Sequence, residues 1–377
     1  MPVVKHWRRK LRAVGRRRRE VYMFAAAMQH RTRPVLAQVV PIRRCNLACA
    51  YCNEFDDSSA PVPLAEMLAR IDKLAALGAS VITISGGEPL LHPRLEDIIR
   101  RIRRHGALAT LISNGYLLSV ERIHALNEAG LDYLQISIDN AAPDDTSMKS
   151  LRVLERKLEW LAREAEFSVT INSVLGIAVR QPGDALTVAR HARSLGFHST
   201  VGIAHDGSGQ SRALPASQMQ IYEELRRLET GVFSFAHYDR FQENLVRGLP
   251  NQWHCRAGAR FLYICEDGLV HWCSQQRGRP GIPLADYTLA DIEREYAMVK
   301  GCAPHCGISC VHQTAMLDQV REDPRGMLRQ LIERRRATDP EFRVPLLLRL
   351  IAWAFLDNPR AVAIQRAFVR LLGLGPG

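Results

Sequence analysis

The sequence lacks the long apolar stretches that would place it across a membrane. No apolar run reaches the roughly 18 residues that a membrane-spanning helix needs, and the N-terminus has no apolar segment of the signal-peptide type. We therefore expect a cytoplasmic protein. Hydrophobic residues make up 47% and charged residues 24% of the 377 residues, a composition that is typical of globular chains and argues against a largely disordered one.

Acidic residues are missing from the start of the chain. Between Lys5 and Arg19 there are nine lysine or arginine residues and no aspartate or glutamate, and the formal net charge of the whole chain is +12. Such a block can bind nucleic acid, anionic lipid or an acidic partner, or it can be a solvated helix. Few aromatic residues are available to stack on bases, so nucleic acid is the least expected partner. We assign residues 1–34 to a basic N-terminal arm or helix.

The nine cysteines do not suit a set of disulfides. Their number is odd, and a chain that is not secreted keeps its thiols reduced. Three of them lie within eight residues near the N-terminus, and six lie between Cys255 and Cys310. Clustered thiols in a reducing compartment are typical of metal sites.

Short β-type runs alternate with helical stretches over the first part of the chain. The strand-like runs are 35–42, 81–85, 108–113, 133–138, 168–174 and 199–204. Helical spacing of apolar residues occurs in 64–77, 95–105, 120–129, 151–165 and 185–195. The alternation predicts an α/β fold with a parallel sheet, either a partial (β/α)6 barrel of the TIM type or a doubly wound sheet. Either fold places chemistry at the carboxyl ends of the strands.

The loop after the first predicted strand carries three cysteines, in Cys45-Asn-Leu-Ala-Cys49-Ala-Tyr-Cys52. Three thiolates can hold three irons of a cubane 4Fe–4S cluster, which leaves the fourth iron free to bind a small molecule. A zinc site is the alternative, although a structural zinc ion normally takes four protein ligands.

The CxxxCxxC spacing, with Tyr51 before the last cysteine, resembles the signature of the radical S-adenosylmethionine (SAM) superfamily. The resemblance extends over roughly residues 35–210 and implies a partial barrel spanning 35–235. It also implies a 4Fe–4S cluster on Cys45, Cys49 and Cys52 as the catalytic centre, with SAM on the open iron. One electron would split SAM to give a 5′-deoxyadenosyl radical, which abstracts hydrogen from a substrate or adds to it. A flavodoxin or ferredoxin is implied as the electron donor.

The resemblance assigns SAM contacts to residues at strand ends. The second strand runs into Ser85-Gly-Gly-Glu-Pro89, which alone would suggest only a turn but in the family contacts the amino group of SAM. Polar side chains facing a barrel interior are costly unless something satisfies them, and those at later strand ends are implied to bind ribose and carboxylate. The implied cofactor-binding residues are Tyr51, Gly86, Gly87, Glu88, Pro89, Ser113, Asn114, Ser137, Asp139, Asn172 and, against adenine, Ile203.

The later cysteines lie around a predicted hairpin in residues 250–320. Glu266-Asp267-Gly268 is a turn signal between two β-type runs, so a hairpin can bring Cys255 and Cys273 together. A cysteine that precedes Gly-x-x-x-x-Cys resembles the auxiliary-cluster domains called SPASM and twitch.

This second resemblance implies one auxiliary 4Fe–4S cluster. The implied ligands are Cys255, Cys273 and two or three of Cys302, Cys306 and Cys310. Cys265 stays open as a structural thiol, a ligand or a substrate-side group. A zinc site is the alternative for the region, with His271, His305 and His312 as further ligand candidates.

The end of the chain, residues 324–377, is predicted to form a helical tail. Residues 344–356 are almost entirely apolar, and Arg366 and Arg370 follow one turn apart. Together with the basic start, this resembles an interfacial membrane anchor and leaves peripheral membrane contact open. A helical cap packed on the barrel is the alternative.

The sequence thus predicts a radical SAM oxidoreductase or transferase whose substrate is unidentified. The basic arm and apolar tail favour a lipid- or isoprenoid-associated substrate, and peptide or carbohydrate substrates are alternatives. About 34 residues precede the first strand, too few for a peptide-recognition domain, so a separate carrier would have to supply one. Two further alternatives are a non-catalytic iron–sulfur protein for electron transfer or redox sensing, and an RNA-modifying radical enzyme.

Overall fold

The structure is a computed structural model that describes residues 2–50, 52, 54, 56–176, 179–228, 239–338 and 343. Tyr51 and the stretch 344–377 lie outside the described residues, so the SAM contact and the membrane anchor predicted there stay predictions. Within the described part of the chain, no helix is both long and apolar enough to cross a membrane.

Six strands alternate with helices after a long N-terminal helix, α1 (Pro2–Gln29). The elements are β1 (Leu36–Val39), α2 (Leu64–Leu77), β2 (Val81–Ile84), α3 (Leu95–Arg104), β3 (Leu108–Ser113), α4 (Val120–Ala129), β4 (Tyr133–Ser137), α5 (Leu151–Glu164), β5 (Ser168–Leu175), α6 (Asp184–Ser194), β6 (His198–Ile203) and α7 (Ala216–Leu228). Neighbouring strands pair in parallel from β1 to β6. The predicted α/β alternation is confirmed.

The helices cover one face of this sheet with apolar stripes. In α2, Met67, Ile71 and Leu74 recur at helical spacing and are fully buried in a core that includes Ile82 and Ile84 of β2. The helix ends at Gly78, whose φ of 99° forms the left-handed cap that glycine adopts without strain.

The opposite face, which we call the inner face, carries polar side chains. Gln38, Thr83 and Thr110 stand side by side on β1, β2 and β3. Thr110 donates to Thr83 at 2.6 Å, and the Gln38 amide donates to the Ser85 hydroxyl at 2.7 Å. Since side chains alternate along a strand, the inner face can present polar groups while the other face builds the apolar core.

The cysteine-rich region continues the same sheet. After α8 (Asp239–Val246), strand β7 (Phe261–Ile264) pairs in parallel with β1, and β8 (Leu269–His271) and β9 (Pro280–Pro283) follow as antiparallel strands. The sheet has nine strands in the order β6-β5-β4-β3-β2-β1-β7-β8-β9. The predicted hairpin turn is present between β7 and β8. The remaining helices are α9 (Leu289–Ala297), α10 (Ser309–Glu322) and α11 (Pro324–Thr338).

Helix α1 packs beneath the sheet, at the amino ends of the strands. Its buried residues Met23 and Ala27 pack in the cluster that contains Leu36, Val81 and Leu108. These three are the first residues of β1, β2 and β3. The basic segment is therefore helical, as one of the sequence interpretations had it, and one side of it is part of the core.

Candidate functional site

The first three cysteines lie together on the loop between β1 and α2. Cys49 is buried, whereas Cys45 and Cys52 are partly exposed. The Cys45 amide donates to the Asp56 carbonyl at 2.9 Å, and the Cys52 amide donates to the Cys49 carbonyl at 3.0 Å, so the backbone folds back on itself. Burial raises the pKa of Cys45, and the charges of Glu88 and of the Cys49 and Cys52 thiols act in the same direction.

The surroundings of these thiols suit an iron–sulfur cluster. Nitrogen and oxygen groups approach two of the sulfurs: the Leu47 amide and the Asn114 side-chain amide lie 3.4 and 3.7 Å from Cys45 Sγ, and the Ser147 hydroxyl lies 3.6 Å from Cys49 Sγ. Such donors stabilise thiolate charge and tune a cluster. No further cysteine occurs in the sequence before Cys255, so this loop offers three thiolate ligands.

The two glycines after β2 lie directly against the backbone before the cysteine loop. A Cβ atom at Gly87 would lie 2.1 Å from the Arg43 carbonyl oxygen, and one at Gly86 would lie 2.5 Å from that of Ile42. The glycines therefore let the end of β2 pack directly on the backbone that leads into the cysteine loop. The Gly87 and Glu88 amides donate to carbonyls of that backbone. The group that approaches these two glycines closely is the backbone of residues 42–44.

The Glu88 carboxylate is fully buried and holds two strand ends together. It accepts hydrogen bonds from the Leu90 amide at 2.9 Å, the Ser113 hydroxyl at 2.8 Å and the Asn114 amide at 2.8 Å. Burial raises its pKa, and these hydrogen bonds oppose that effect. Pro89, also buried, begins a short 3-10 helix. A contact of this motif with the amino group of SAM stays a prediction.

Two further predicted residues reach the cysteine loop. The Asn114 side-chain amide donates to the Asn46 side chain at 2.9 Å, besides its approach to Cys45. Asp139, after β4, accepts from the Ser147 hydroxyl at 2.7 Å, and Ser147 in turn lies against Cys49. The structure thus gathers Glu88, Ser113, Asn114 and Asp139 into one network around the thiols.

The remaining predicted contacts lie farther along the sheet. Ser137 and Asn172 stand side by side on the inner face of β4 and β5, and Asn172 accepts a hydrogen bond from Thr200 at 2.9 Å. The Ile203 side chain lies on the other side of the sheet. It packs with Leu175 in the cluster of the α6 and α7 helices, because it lies on the helix-facing side of β6, whereas Gly202 is on the inner face. An adenine contact through the Ile203 side chain does not suit this placement.

Sequence reasoning missed the loop between β4 and α5. Its Thr146 carbonyl accepts from the Ala50 amide at 3.0 Å, and Ser147 and Lys149 contact Asp139, with Lys149 Nζ at 3.6 Å from the carboxylate. The cluster of Asp, Thr and Ser after the fourth strand signals a turn. No spacing rule in it points to a contact with cysteines about a hundred residues earlier.

Four of the later cysteines form a second group, which we call the auxiliary group: Cys255, Cys273, Cys302 and Cys306. Burial raises the pKa of Cys255 to about 12, and the charges of Cys302 and Cys273 add to it. Burial likewise raises the pKa of Cys306, with Cys255, Cys273 and Cys302 as further causes. Three separate stretches of chain supply these four thiols.

Cys310 lies at the edge of the auxiliary group. Burial raises its pKa to about 11, and the nearby charges that add to it belong to Glu54 and Cys273. Helix α10 carries Cys310 in its first turn, whereas Cys306 lies just before that helix.

Cys265 stands apart from the other cysteines. It points into a neighbourhood of Tyr263, Arg277 and acidic residues, and burial raises its pKa to about 12. Cys265, Asp267 and His271 bring potential ligand atoms within 4.8 Å of one another. However, His271 Nδ1 accepts from the Gly278 amide at 2.8 Å, which puts the ring proton on Nε2, 3.3 Å from Asp267. This imidazole has no free lone pair for a zinc ion.

The ring of His312 packs in an aromatic cluster, and the backbone of His305 connects two loops. His312 is stacked on Phe241 with ring centroids 4.5 Å apart, and burial lowers its pKa to about 3. The His305 carbonyl accepts from the Ser211 amide, which ties the short 3-10 helix between Cys302 and Cys306 to the loop after β6.

Contacts of the β7–β8 hairpin connect the two cysteine groups. The Tyr263 hydroxyl donates to Glu54, two residues beyond Cys52, at 3.0 Å. Arg43 forms an ion pair with Glu266 at 3.0 Å, and buried Arg70 donates to the Cys265 carbonyl at 2.8 Å. The hairpin is therefore fixed to the loop that carries the first three cysteines.

Comparison with known proteins identifies the family. A sequence model of the Radical SAM superfamily matches residues 39–205. A PqqA peptide cyclase of Gluconobacter oxydans (strain 621H) is 30% identical over 272 residues, which cover 66% of this chain and 73% of that protein. This chain belongs to the radical SAM superfamily. It is a radical SAM enzyme, with SAM and a 4Fe–4S cluster as its cofactors, and the alternative of a non-catalytic iron–sulfur protein is set aside. The auxiliary cluster stays a prediction.

Other relatives of this radical SAM enzyme have different names. A GTP 3′,8-cyclase of Aquifex aeolicus (strain VF5) is 26% identical over 259 residues, which cover 61% of this chain and 78% of that protein. Among solved structures, native anSMEcpe with bound AdoMet and Cp18Cys peptide matches with a TM-score of 0.51 and 14% identity, covering 80% of this chain and 98% of that one. This structural likeness concerns the fold alone.

Proposed function

We propose that this radical SAM enzyme binds its catalytic cluster through Cys45, Cys49 and Cys52 and modifies a peptide. The observation that carries the first part is the network in which Glu88, Ser113, Asn114 and Asp139 converge on one loop with three thiols and no fourth cysteine. The peptide is supported by the PqqA peptide cyclase, whose similarity spans 272 residues, more than the residues 39–205 of the superfamily match.

The chain's own residues have distinct tasks in this proposal. Asn114 and Ser147 donate toward the thiolates and hold their charge. Glu88 fixes the ends of β2 and β3, and with them Asn114. Cys45, Cys49 and Cys52 would hold the cluster, which would supply the electron for reductive cleavage of SAM. Ser137 and Asn172 face the inner side of the sheet, where they can orient the nucleoside.

We assign the auxiliary cluster to Cys255, Cys273, Cys302 and Cys306, a complete set of four thiolates of the kind that closes a cluster to outside ligands. Cys310 is the neighbour most able to replace one of them. Cys265 holds a position on the inner side of β7, beside Tyr263, and is left as a thiol. A closed cluster suits electron transfer, since it has no iron open to a substrate.

The lipid-associated substrate that the sequence favoured gains no support from the relatives named above. The basic charge of α1, one of the reasons for that preference, is partly used inside the protein: Arg12 pairs with Glu166 at 2.6 Å and Arg19 with Asp132 at 2.5 Å. We therefore prefer a peptide, with a flavodoxin or ferredoxin as electron donor.

The first test is reductive cleavage of SAM. After anaerobic reconstitution, dithionite and SAM are added and 5′-deoxyadenosine is measured by liquid chromatography. We expect product from the native chain and from Cys265→Ala, and none from a variant with Cys45, Cys49 and Cys52 all changed to Ala. Equal product from the triple variant would refute the cluster assignment.

The substrate test uses short peptides encoded beside the gene. With reduced enzyme and SAM, we expect a peptide to increase 5′-deoxyadenosine formation and to change in mass in the same reaction. A lipid extract serves as the competing sample. If the extract stimulates the enzyme and is modified while the peptides are unchanged, the peptide proposal is wrong but the chemistry of SAM cleavage stands.

A further inference from the structure

A pocket with a volume of about 260 Å³ lies between α1 and the turn that leads into β4. Four arginines line it: Arg12, Arg16 and Arg19 from α1, and Arg103 from the end of α3. Asp132, which precedes β4, also lines it. The pocket therefore lies at the amino ends of the strands, whereas the cysteine loop follows the carboxyl end of β1.

The carboxylates near this pocket are fewer than the guanidinium groups. Asp132 is buried and takes Arg19 on one oxygen at 2.5 Å and Arg103 on the other at 3.2 Å. Its second oxygen also accepts from the Ala109 amide at 3.0 Å, so its acceptor capacity is largely used. Glu166 pairs with Arg12. Arg12 and Arg19 attach α1 to the rest of the protein, and Arg103 connects the end of α3 to Asp132. Arg16 has neither role.

Arg16 is the arginine whose donors are unused. It lies over the ring of Tyr133, 5.3 Å from the centroid, and no group among the described residues accepts a hydrogen bond from it. Burial lowers its pKa, and the positive charges of Arg17 and Arg19 act in the same direction against Asp132 and Glu20. Arg19 Nε is also buried without a hydrogen-bond partner in the described part of the chain. Buried donors without acceptors are unfavourable.

A glycine in the middle of α1 keeps the pocket open. Gly15 lines the pocket, and a Cβ atom there would lie 3.3 Å from the Arg19 guanidinium. Glycine inside a helix is destabilising relative to alanine. The absence of a side chain at this position leaves space in the pocket that a ligand can occupy.

From these contacts we propose that the pocket under β4 binds a phosphate-bearing anion, as a site separate from the radical chemistry. Guanidinium groups bind phosphate oxygens in pairs, with a planar geometry that two or more arginines can share. The volume suits a phosphate or diphosphate group and is below that of most sites for whole cofactors. The anion would supply the acceptors that Arg16 and Arg19 lack.

The phosphate can belong to a free anion or to a lipid headgroup. Leu11 lines the pocket and is 65% exposed, and Trp7 and Val14 on the same helix are 61% and 68% exposed. These apolar side chains could contact the acyl region of a membrane if the phosphate is part of a phospholipid. Both sources share one chemistry at the arginines, and the experiment distinguishes them.

The test measures binding to the reconstituted full-length protein in two arms. One arm titrates inorganic pyrophosphate by calorimetry, and the other co-sediments the protein with phosphatidylglycerol–phosphatidylcholine vesicles against vesicles of phosphatidylcholine alone. Arg16→Gln removes the free guanidinium of the pocket. Arg18→Gln, on an exposed position of the same helix outside the pocket, removes the same charge.

We expect Arg16→Gln to weaken binding about tenfold, as loss of a charge-assisted pair would, and Arg18→Gln to change it less than about twofold. Gly15→Leu, which fills the space without changing the charge, is expected to weaken binding as well. Binding of pyrophosphate identifies a free anion, and Arg16-dependent sedimentation identifies a headgroup. The proposal is overturned if neither arm shows saturable binding, or if the two arginine variants lose binding equally.

Discussion

The two cysteine groups differ in how the chain builds them. The first comes from a single loop of eight residues with two of its three thiols partly exposed, and polar side chains from β3 and from the loop after β4 approach its sulfurs. The auxiliary group is gathered from separate stretches between Cys255 and Cys306, and three of its four thiols are buried. The exposure of the first group is typical of a site that admits a ligand. The burial of the auxiliary group is typical of a site that excludes one.

The deeper burial of the auxiliary group predicts that the fold depends more on its metal than on that of the first group. Burial raises the pKa of Cys255 to about 12, so without a cluster this thiol stays protonated inside the protein. Binding of a cluster deprotonates such thiols, and its binding free energy is then part of the folding free energy. The auxiliary group should therefore contribute to the stability of the region after β7, while the first group should matter chiefly for catalysis.

Loss of a first-group thiol should have the largest effect on catalysis. In Cys49→Ala, we expect 5′-deoxyadenosine formation to fall more than about a hundredfold, because loss of a ligand exceeds the tenfold to hundredfold cost of losing an outer partner. The absorption of the auxiliary cluster should persist. Product is measured after dithionite reduction with SAM in excess.

The difference between the two cysteine groups would be contradicted if Cys306→Ala reduced SAM cleavage as strongly as Cys49→Ala does. This holds only if the Cys306→Ala protein keeps the cluster of the first group. The two groups would then act as one unit, and the separation by exposure would have no functional meaning.

Loss of an auxiliary thiol should change the iron content. Native protein reconstituted with two cubanes holds about eight irons per chain, and Cys306→Ala should hold about four. Its thermal unfolding midpoint should also fall, because Cys306 is buried between the loop after β6 and α10. Iron analysis and electron paramagnetic resonance of the reduced protein measure the loss.

Cys265→Ala is the matched control for this experiment, since Cys265 is equally buried and lies in the same region. We expect it to keep about eight irons. If Cys265→Ala loses a cluster and Cys302→Ala does not, the assignment of the auxiliary group is wrong at that position.

The sequence revealed most of the barrel because each element obeys a local rule. The apolar stripe of α2 and the glycine after it locate the helix at 64–77 without knowledge of the fold. The parallel pairing of β7 with β1 joins residues more than two hundred positions apart. No periodicity encodes such a pairing, so the cysteine-rich region was predicted as a separate unit although it continues the sheet.

One rule predicts part of the candidate site: the carboxyl ends of parallel strands meet at one edge of a sheet. Ser113, Asn114 and Asp139 could be placed near the thiols by that rule. The rule does not decide which way a side chain turns, so it does not show that the Ile203 side chain packs among helices. It also did not show that the Gly86 and Gly87 positions are filled by neighbouring backbone.

Removal of a side chain that donates to the first group of cysteines should have an intermediate effect on SAM cleavage. Asn114→Ala removes the amide 3.7 Å from Cys45 and its hydrogen bond to Asn46. We expect SAM cleavage to fall between about tenfold and a hundredfold with the iron content unchanged, which is the usual cost of losing an outer partner of a metal site. Asn127→Ala, on α4 and away from the cysteines, controls for general damage. Equal losses in both variants would remove Asn114 from the site.

The smallest expected effect concerns the contact between the two groups. Tyr263→Phe removes only the hydroxyl that donates to Glu54 at 3.0 Å, and a single hydrogen bond contributes about 0.5–1.5 kcal/mol to the free energy of unfolding.

Tyr287→Phe is the matched control, because that hydroxyl donates at 2.6 Å to the Gly258 carbonyl and does not reach the cysteine loop. Both variants should lose similar stability in urea. Only Tyr263→Phe should release iron from the first cluster faster to a chelator, since Glu54 follows Cys52 so closely. Equal iron release from the two variants would mean that the hairpin holds the cysteine loop through other contacts, such as the Arg43–Glu266 ion pair.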